Sequence, residues 1–274
     1  MGTVGSYGGG GGKPGRDLRE DINDWLDSLP DGPPPSDQPD DQPTDLPAIP
    51  PEAVLNVIPM FRPRPSGGGS DGPGGVGGGA GGGGRRGGAG GGSSRGGAQR
   101  SASRSASSAG RAAAAAYALR TGDAETLRQL GLDYNELRDT RDPIEVTRRI
   151  VEAACGPLSD GTIEDEERRY VAAEIAQWVL EENEAGAPPE PEEIVREAIA
   201  RIIFEAATTE SAAQLRDGNR PTWATREGER QIRESADALA QRAELSPAGP
   251  TVEEFERAIE QGIETLRNIF WGGS

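Results

Sequence analysis

Histidine is absent from this 274-residue chain, cysteine occurs once, and every basic side chain but Lys13 is arginine. Without imidazole the usual general base and the commonest metal ligand are both missing, so Ser–His and Cys–His nucleophile pairs are excluded. Cys155 alone cannot close an intramolecular disulfide, and no residue set spells out a metal cluster or a cofactor site. Long apolar runs are lacking too. Mean hydropathy is −0.64, and nothing approaches the roughly 18 apolar residues of a membrane span. No apolar signal-peptide core follows Met1, so a cytoplasmic chain is expected.

What the chain has in excess is glycine and proline, 41 and 22 residues, concentrated before residue 112. Length therefore overstates the folded mass, and one helical domain of about 160 residues is expected to carry the core. Charge is unevenly spread: residues 1–61 are net −8, residues 62–111 net +7 and the remainder net −16. A surface this acidic repels nucleic-acid phosphates, so a nucleic-acid partner is not expected.

The composition divides the chain into four stretches. Residues 1–15 form a glycine-rich thread too poor in side chains to offset the entropy of ordering it. Residues 16–61 read as an acidic, proline-rich arm with two short docking segments. In the first, Leu18, Ile22, Trp25, Leu26 and Leu29 fall on one face of a three-turn helix that Pro30 ends. Such a short helix needs a surface to cover it, either the body of the protein or a partner; the long Pro and Gly stretches on either side favour a partner. In the second, Val54, Val57, Ile58 and Phe61 make one face of a helical turn, or Val54 to Ile58 add as a strand to an exposed sheet edge.

Residues 62–104 read as an Arg/Gly/Ser linker. Arg85, Arg86 and Arg95 resemble Arg-Gly segments that touch single-stranded nucleic acid, but the aromatics needed for base stacking are missing, which favours a solubilising tether.

Residues 105–274 carry helical signals throughout and almost no strand signal, so the fold class is all-α, an irregular bundle behind a largely disordered arm. An Ala-rich helix runs over 105–119. Asp123 caps a short helix over 124–130, and Asp142-Pro143 opens one that closes at Gly156. Thr162 heads a helix to about 183, a wide apolar face covers 192–208, and a polar helix covers 225–243. Thr251-Val252-Glu253-Glu254 is a capping box for the last. The acids Glu164 to Glu167 suit a first helical turn, where the helix dipole favours them, better than a metal site. Cys155, at a helix C-terminus, reads as structural.

Met1-Gly2-Thr3 followed by Ser6-Tyr7-Gly8-Gly9, the Pro/Gly arm with one Trp-Leu pair, Leu127-x-x-Leu130-Gly131-Leu132, Cys155-Gly156 and Gly161-Thr162-Ile163-Glu164-Asp165-Glu166 together resemble the QatB component of bacterial Qat anti-phage defence systems. The resemblance implies three partners: a QatA-like ATPase, a QatC-like protein similar to the QueC-type deazaguanine synthase, and a TatD-like nuclease. It also implies a non-catalytic role. A small second residue lets Met1 be trimmed, leaving a Gly2 amine with a reference pKa of about 7.7–8.0. That amine is the expected modification site, with Thr3, Ser6, Tyr7 and Gly8 as partner-docking residues beside it and the glycines allowing close backbone approach in the synthase-like active site. The other readings are a scaffold without covalent change and an Arg-Gly nucleic-acid sensor.

Overall fold

The computed structural model describes residues 12–30, 32, 46–62, 100–156, 162–182, 186–218 and 220–271. Among them the chain is an irregular all-α bundle whose strands amount to β1 (Phe61–Arg62) and β2 (Arg100–Ser101). The central helix is α3 (Ala102–Thr121), which contacts α6 (Pro143–Cys155), α7 (Ile163–Glu181), α8 (Pro191–Glu210) and α11 (Val252–Trp271). It can do so because Ala112 to Ala116 are small and fully enclosed, presenting close-packing surface around the whole helix. At Gly110 a β-carbon would lie 2.7 Å from the Glu256 backbone nitrogen, so α11 crosses α3 almost backbone to backbone.

The helix boundaries follow local chemistry. Ser101 caps α3, and Gly122 ends it at φ 78°. Asp123 caps α4 (Ala124–Gln129), Asp133 caps α5 (Tyr134–Asp139), and Asp142 caps α6, each accepting from first-turn amides. Thr162 accepts from the Asp165 amide at the start of α7. At α11 the Thr251 hydroxyl accepts from the Glu254 amide while the Glu254 carboxylate accepts from the Thr251 amide, a complete capping box. Two short helices, α5 and α9 (Ala212–Leu215), lie where the sequence reading placed none.

The remaining helices are α1 (Gly12–Ser28), α2 (Pro51–Leu55) and α10 (Thr222–Gln241). Helix α1 lies against α8, α9 and α10, and α2 packs on α1 and α10. The segment 51–62 takes the helical form over Val54 to Ile58, where the strand alternative is not adopted, and is extended only at its end. It is helical at α2, makes a 3-10 turn at Ile58–Met60, and enters a parallel ladder in which Phe61 pairs with Arg100 and Arg62 with Ser101. The described part of the expected arm is thus built into the bundle, and the body begins at residue 100 on the far side of residues 63–99.

Candidate functional site

The docking residues expected to meet a partner are spent on the chain's own core. Leu18, Ile22, Val54, Val57 and Ile58 are completely enclosed, and Trp25, Leu26 and Phe61 keep no more than 4 % of their surface. This corrects the sequence reading. The apolar face of α1 is covered by α8, α9 and α10, a burial that contributes about 1.5–3 kcal/mol per large side chain and leaves nothing of that face for another protein. Gly2, Thr3, Ser6, Tyr7 and Gly8 lie outside the described residues, as do Arg85, Arg86 and Arg95.

Polar contacts hold the same segment. The Trp25 indole Nε1 donates to the Pro47 carbonyl over 2.7 Å, and the Gln231 amide shares that acceptor over 3.3 Å. The Ile49 amide donates to Gln231 Oε1. Near the end of α1, Arg220 donates to Asp27 Oδ1 over 2.6 Å. Close packing adds to this: at Gly228 a β-carbon would stand 3.2 Å from Trp25 Cζ3.

Beneath the start of α1 runs a chain of buried charges. Arg19 pairs with Glu210 at the end of α8, and Glu210 also faces Arg100 Nη1 over 3.8 Å. Arg100 in turn grips Glu167 of α7 in a fork, Nε to Oε2 over 2.8 Å and Nη2 to Oε1 over 2.5 Å. Two cations and two anions, from α1, β2, α7 and α8, therefore neutralise one another, Arg100, Glu167 and Glu210 out of water and Arg19 partly exposed at the edge, the condition under which buried charge is tolerated. At Gly15 a β-carbon would fall 2.6 Å from Glu210 Oε1, so the first turns of α1 sit directly on this cluster. A gap of about 10 Å³ beside Arg100, Glu167 and Glu205 has room for no more than about one water. Burial pushes the Glu205 carboxyl above the ordinary glutamate range, and the neighbouring Glu167 charge pushes it further.

The sequence reading missed Arg100, Glu167, Glu210 and Gln231. Arg100 fell in the expected linker and Glu167 in the expected acidic first turn. For Glu210 a signal existed: it continues the buried stripe of Ile203 and Ala207 at helical spacing, placing a carboxylate on the core face.

Cys155 is half-buried, with Sγ 3.9 Å from the Arg168 carbonyl oxygen, and burial pushes its thiol up despite nearby arginines. Among the described residues no helix is long and apolar enough to cross a membrane, and no group of three or more His, Cys, Asp or Glu is placed to hold a metal ion. What the geometry provides is a fixed base, at Gly12 to Arg19, for whatever the leading residues carry. No protein-family model matches this chain, and neither the curated proteins nor the solved structures include a match to it.

Proposed function

We propose that this chain is a non-catalytic carrier in a Qat-type defence assembly, presenting Gly2 to a QueC-like synthase partner that modifies its α-amine. The observation that carries the reading is the anchoring of α1: Gly15 packs on Glu210, Arg19 pairs with it, and Trp25 is locked to Pro47. A thread rooted so firmly can enter another protein's pocket without pulling the bundle apart. Residues 2–11 span at most about 35 Å when extended, enough to reach a recessed active site. The lack of histidine agrees with chemistry supplied by the partner.

The step is an acyl transfer. The neutral Gly2 nitrogen attacks a deazaguanine carboxyl carbon that the partner has activated with ATP. An amide bond forms, the phosphate-bearing leaving group departs, and the nitrogen gives up a proton to water. The ATPase and the nuclease dock on the helical body, where Ile144, Ile163 and Tyr170 are among the exposed large apolar or aromatic side chains.

Intact-mass measurement of the chain produced with and without its partners tests this. A mass gain equal to the acid less one water is expected with the active synthase partner, and Gly2→Pro abolishes it while the helical content stays unchanged. An unmodified chain beside a demonstrably active partner refutes the carrier role. If a chain lacking residues 2–11 still assembles and protects, the scaffold reading replaces it.

A further inference from the structure

An open cleft of about 270 Å³ lies where α3, α6 and α7 meet, lined among others by Arg104, Ser107, Arg111, Cys155 and Arg168. It takes no part in anchoring the leading segment. In a chain of net charge −17 it gathers guanidinium groups from two helices, with Arg169 beside it donating to the Gly156 carbonyl oxygen.

The partners of these groups are unevenly satisfied. Arg168 pairs with Asp165 through Nη2 and reaches Ser108 Oγ over 3.4 Å through Nη1, yet its Nε is buried and donates to nothing. Arg111 is the sharper case. Its Nε is likewise buried without an acceptor, and the side chain makes no hydrogen bond or ion pair among the described residues. Arg111 holds no carboxylate, unlike Arg100 and Arg201, and its buried Nε is left unmatched, as Arg100 Nη1 is too. Leaving it so costs about 1–3 kcal/mol per unmet donor. Asp165, paired with Arg168, and Glu256, hydrogen-bonded to Ser107, set two negative charges against the three positive ones of Arg104, Arg111 and Arg168, so one positive charge is left over.

We infer that this cleft binds a phosphate group, with Arg111 and Arg168 as the donors and Arg104 closing over it. A guanidinium fork suits a tetrahedral oxyanion. The cleft sits just below the usual ligand-pocket range of about 300–1,000 Å³, which fits a compact anion rather than an extended one. A duplex is excluded by the acidic surroundings. The group is either free inorganic phosphate or the phosphate of a mononucleotide. The inference is independent of the fate of Gly2.

Titrating the full chain with inorganic phosphate and, separately, with AMP tests this, using chloride at matched ionic strength as the control. The readout is the arginine Nε–H signals in ¹H–¹⁵N spectra. Saturable shifts confined to the signals of Arg104, Arg111 and Arg168 are expected, with Kd of about 1 mM or tighter for the preferred form. A preference for AMP assigns a nucleotide-borne phosphate, and equal or weaker AMP binding assigns the free ion. Arg111→Gln should weaken binding at least about tenfold, a loss of about 1.4 kcal/mol. Because Arg104 is exposed, Arg104→Gln keeps the fold and should weaken binding as well. Non-saturating shifts shared by all arginines, or unchanged affinity in both variants, overturn the inference.

Discussion

Phe61 and Arg100 stand opposite each other in a parallel ladder although the whole interval 62–99 separates them in the chain. The two ends of that interval therefore meet at one place in one bundle. Both of its ends are buried, Phe61 at 2 % and Arg100 at 3 % exposure. Replacing residues 63–99 with about ten Gly/Ser residues should leave the fold intact and stabilise it by about 1 kcal/mol, because each halving of the connection between two fixed ends lowers its closure entropy cost by about 0.6 kcal/mol. Urea denaturation of the shortened chain checks this. A loss of several kcal/mol would mean that the interval carries packing of its own.

The fork between Arg100 and Glu167 makes a second prediction. Arg100→Met leaves Glu167 without its hydrogen-bonded partner and removes the Arg100–Glu210 pairing, so a destabilisation of about 3–5 kcal/mol is expected. Adding Glu167→Leu to the same chain should recover most of that loss, since an apolar pair of similar size replaces a buried ion pair at little cost. A double-mutant cycle by denaturant titration separates the two effects.

Trp25→Ala should destabilise the isolated chain by about 3–5 kcal/mol, the usual cost of emptying a buried aromatic site. It also leaves the Pro47 carbonyl without its indole donor. The measurement distinguishes the two surfaces that were open for the apolar face of α1. A side chain reserved for a partner would be replaced without effect on the isolated protein, whereas one in the core lowers its melting temperature.

That contrast shows where sequence reasoning reached its end. The spacing of Leu18, Ile22, Trp25 and Leu26 identified the apolar face correctly, and it is the buried face of α1. Periodicity says which side of a helix seeks cover but nothing of what covers it, because that depends on contacts across residues 63–99. Cap chemistry at Asp123, Asp142, Thr162 and Thr251 was legible because it acts within four residues. The start of α1 at Gly12 was not. Glycine and Pro14 weaken a helix intrinsically, and here Gly15 is held by packing on Glu210, a tertiary effect with no local trace.

Gly110→Ala sets intrinsic propensity against packing. Alanine is favoured over glycine in a helix by about 1 kcal/mol. At this site, though, the added methyl meets the Glu256 backbone at 2.7 and 2.9 Å, and a backbone cannot rotate aside. A net loss of about 1–3 kcal/mol is expected as α11 is pushed off α3. Gly262→Ala meets the tip of the Ile199 side chain instead, which can change rotamer, so its cost should be smaller. Thermal unfolding of the two variants side by side orders them.

Glu205 supplies the pH dependence. Its carboxyl is raised by burial first and by the Glu167 charge second, with Thr209 Oγ1 donating weakly at 3.4 Å. The folded chain therefore holds this proton more tightly than the unfolded chain does. Its contribution to stability is full below the unfolded-state value of about 4.3 and is lost as pH rises through the higher folded-state value. Glu205→Gln keeps the shape and cannot ionise, so near neutral pH the variant should unfold at higher denaturant than the parent chain. Below about pH 4 both side chains are neutral and the difference should close. Denaturation midpoints measured across that range decide it: a variant that unfolds at lower denaturant than the parent near neutral pH, with the difference closing on acidification, would mean that Glu205 is held ionised in the fold, with Arg100 as the cation that keeps it so.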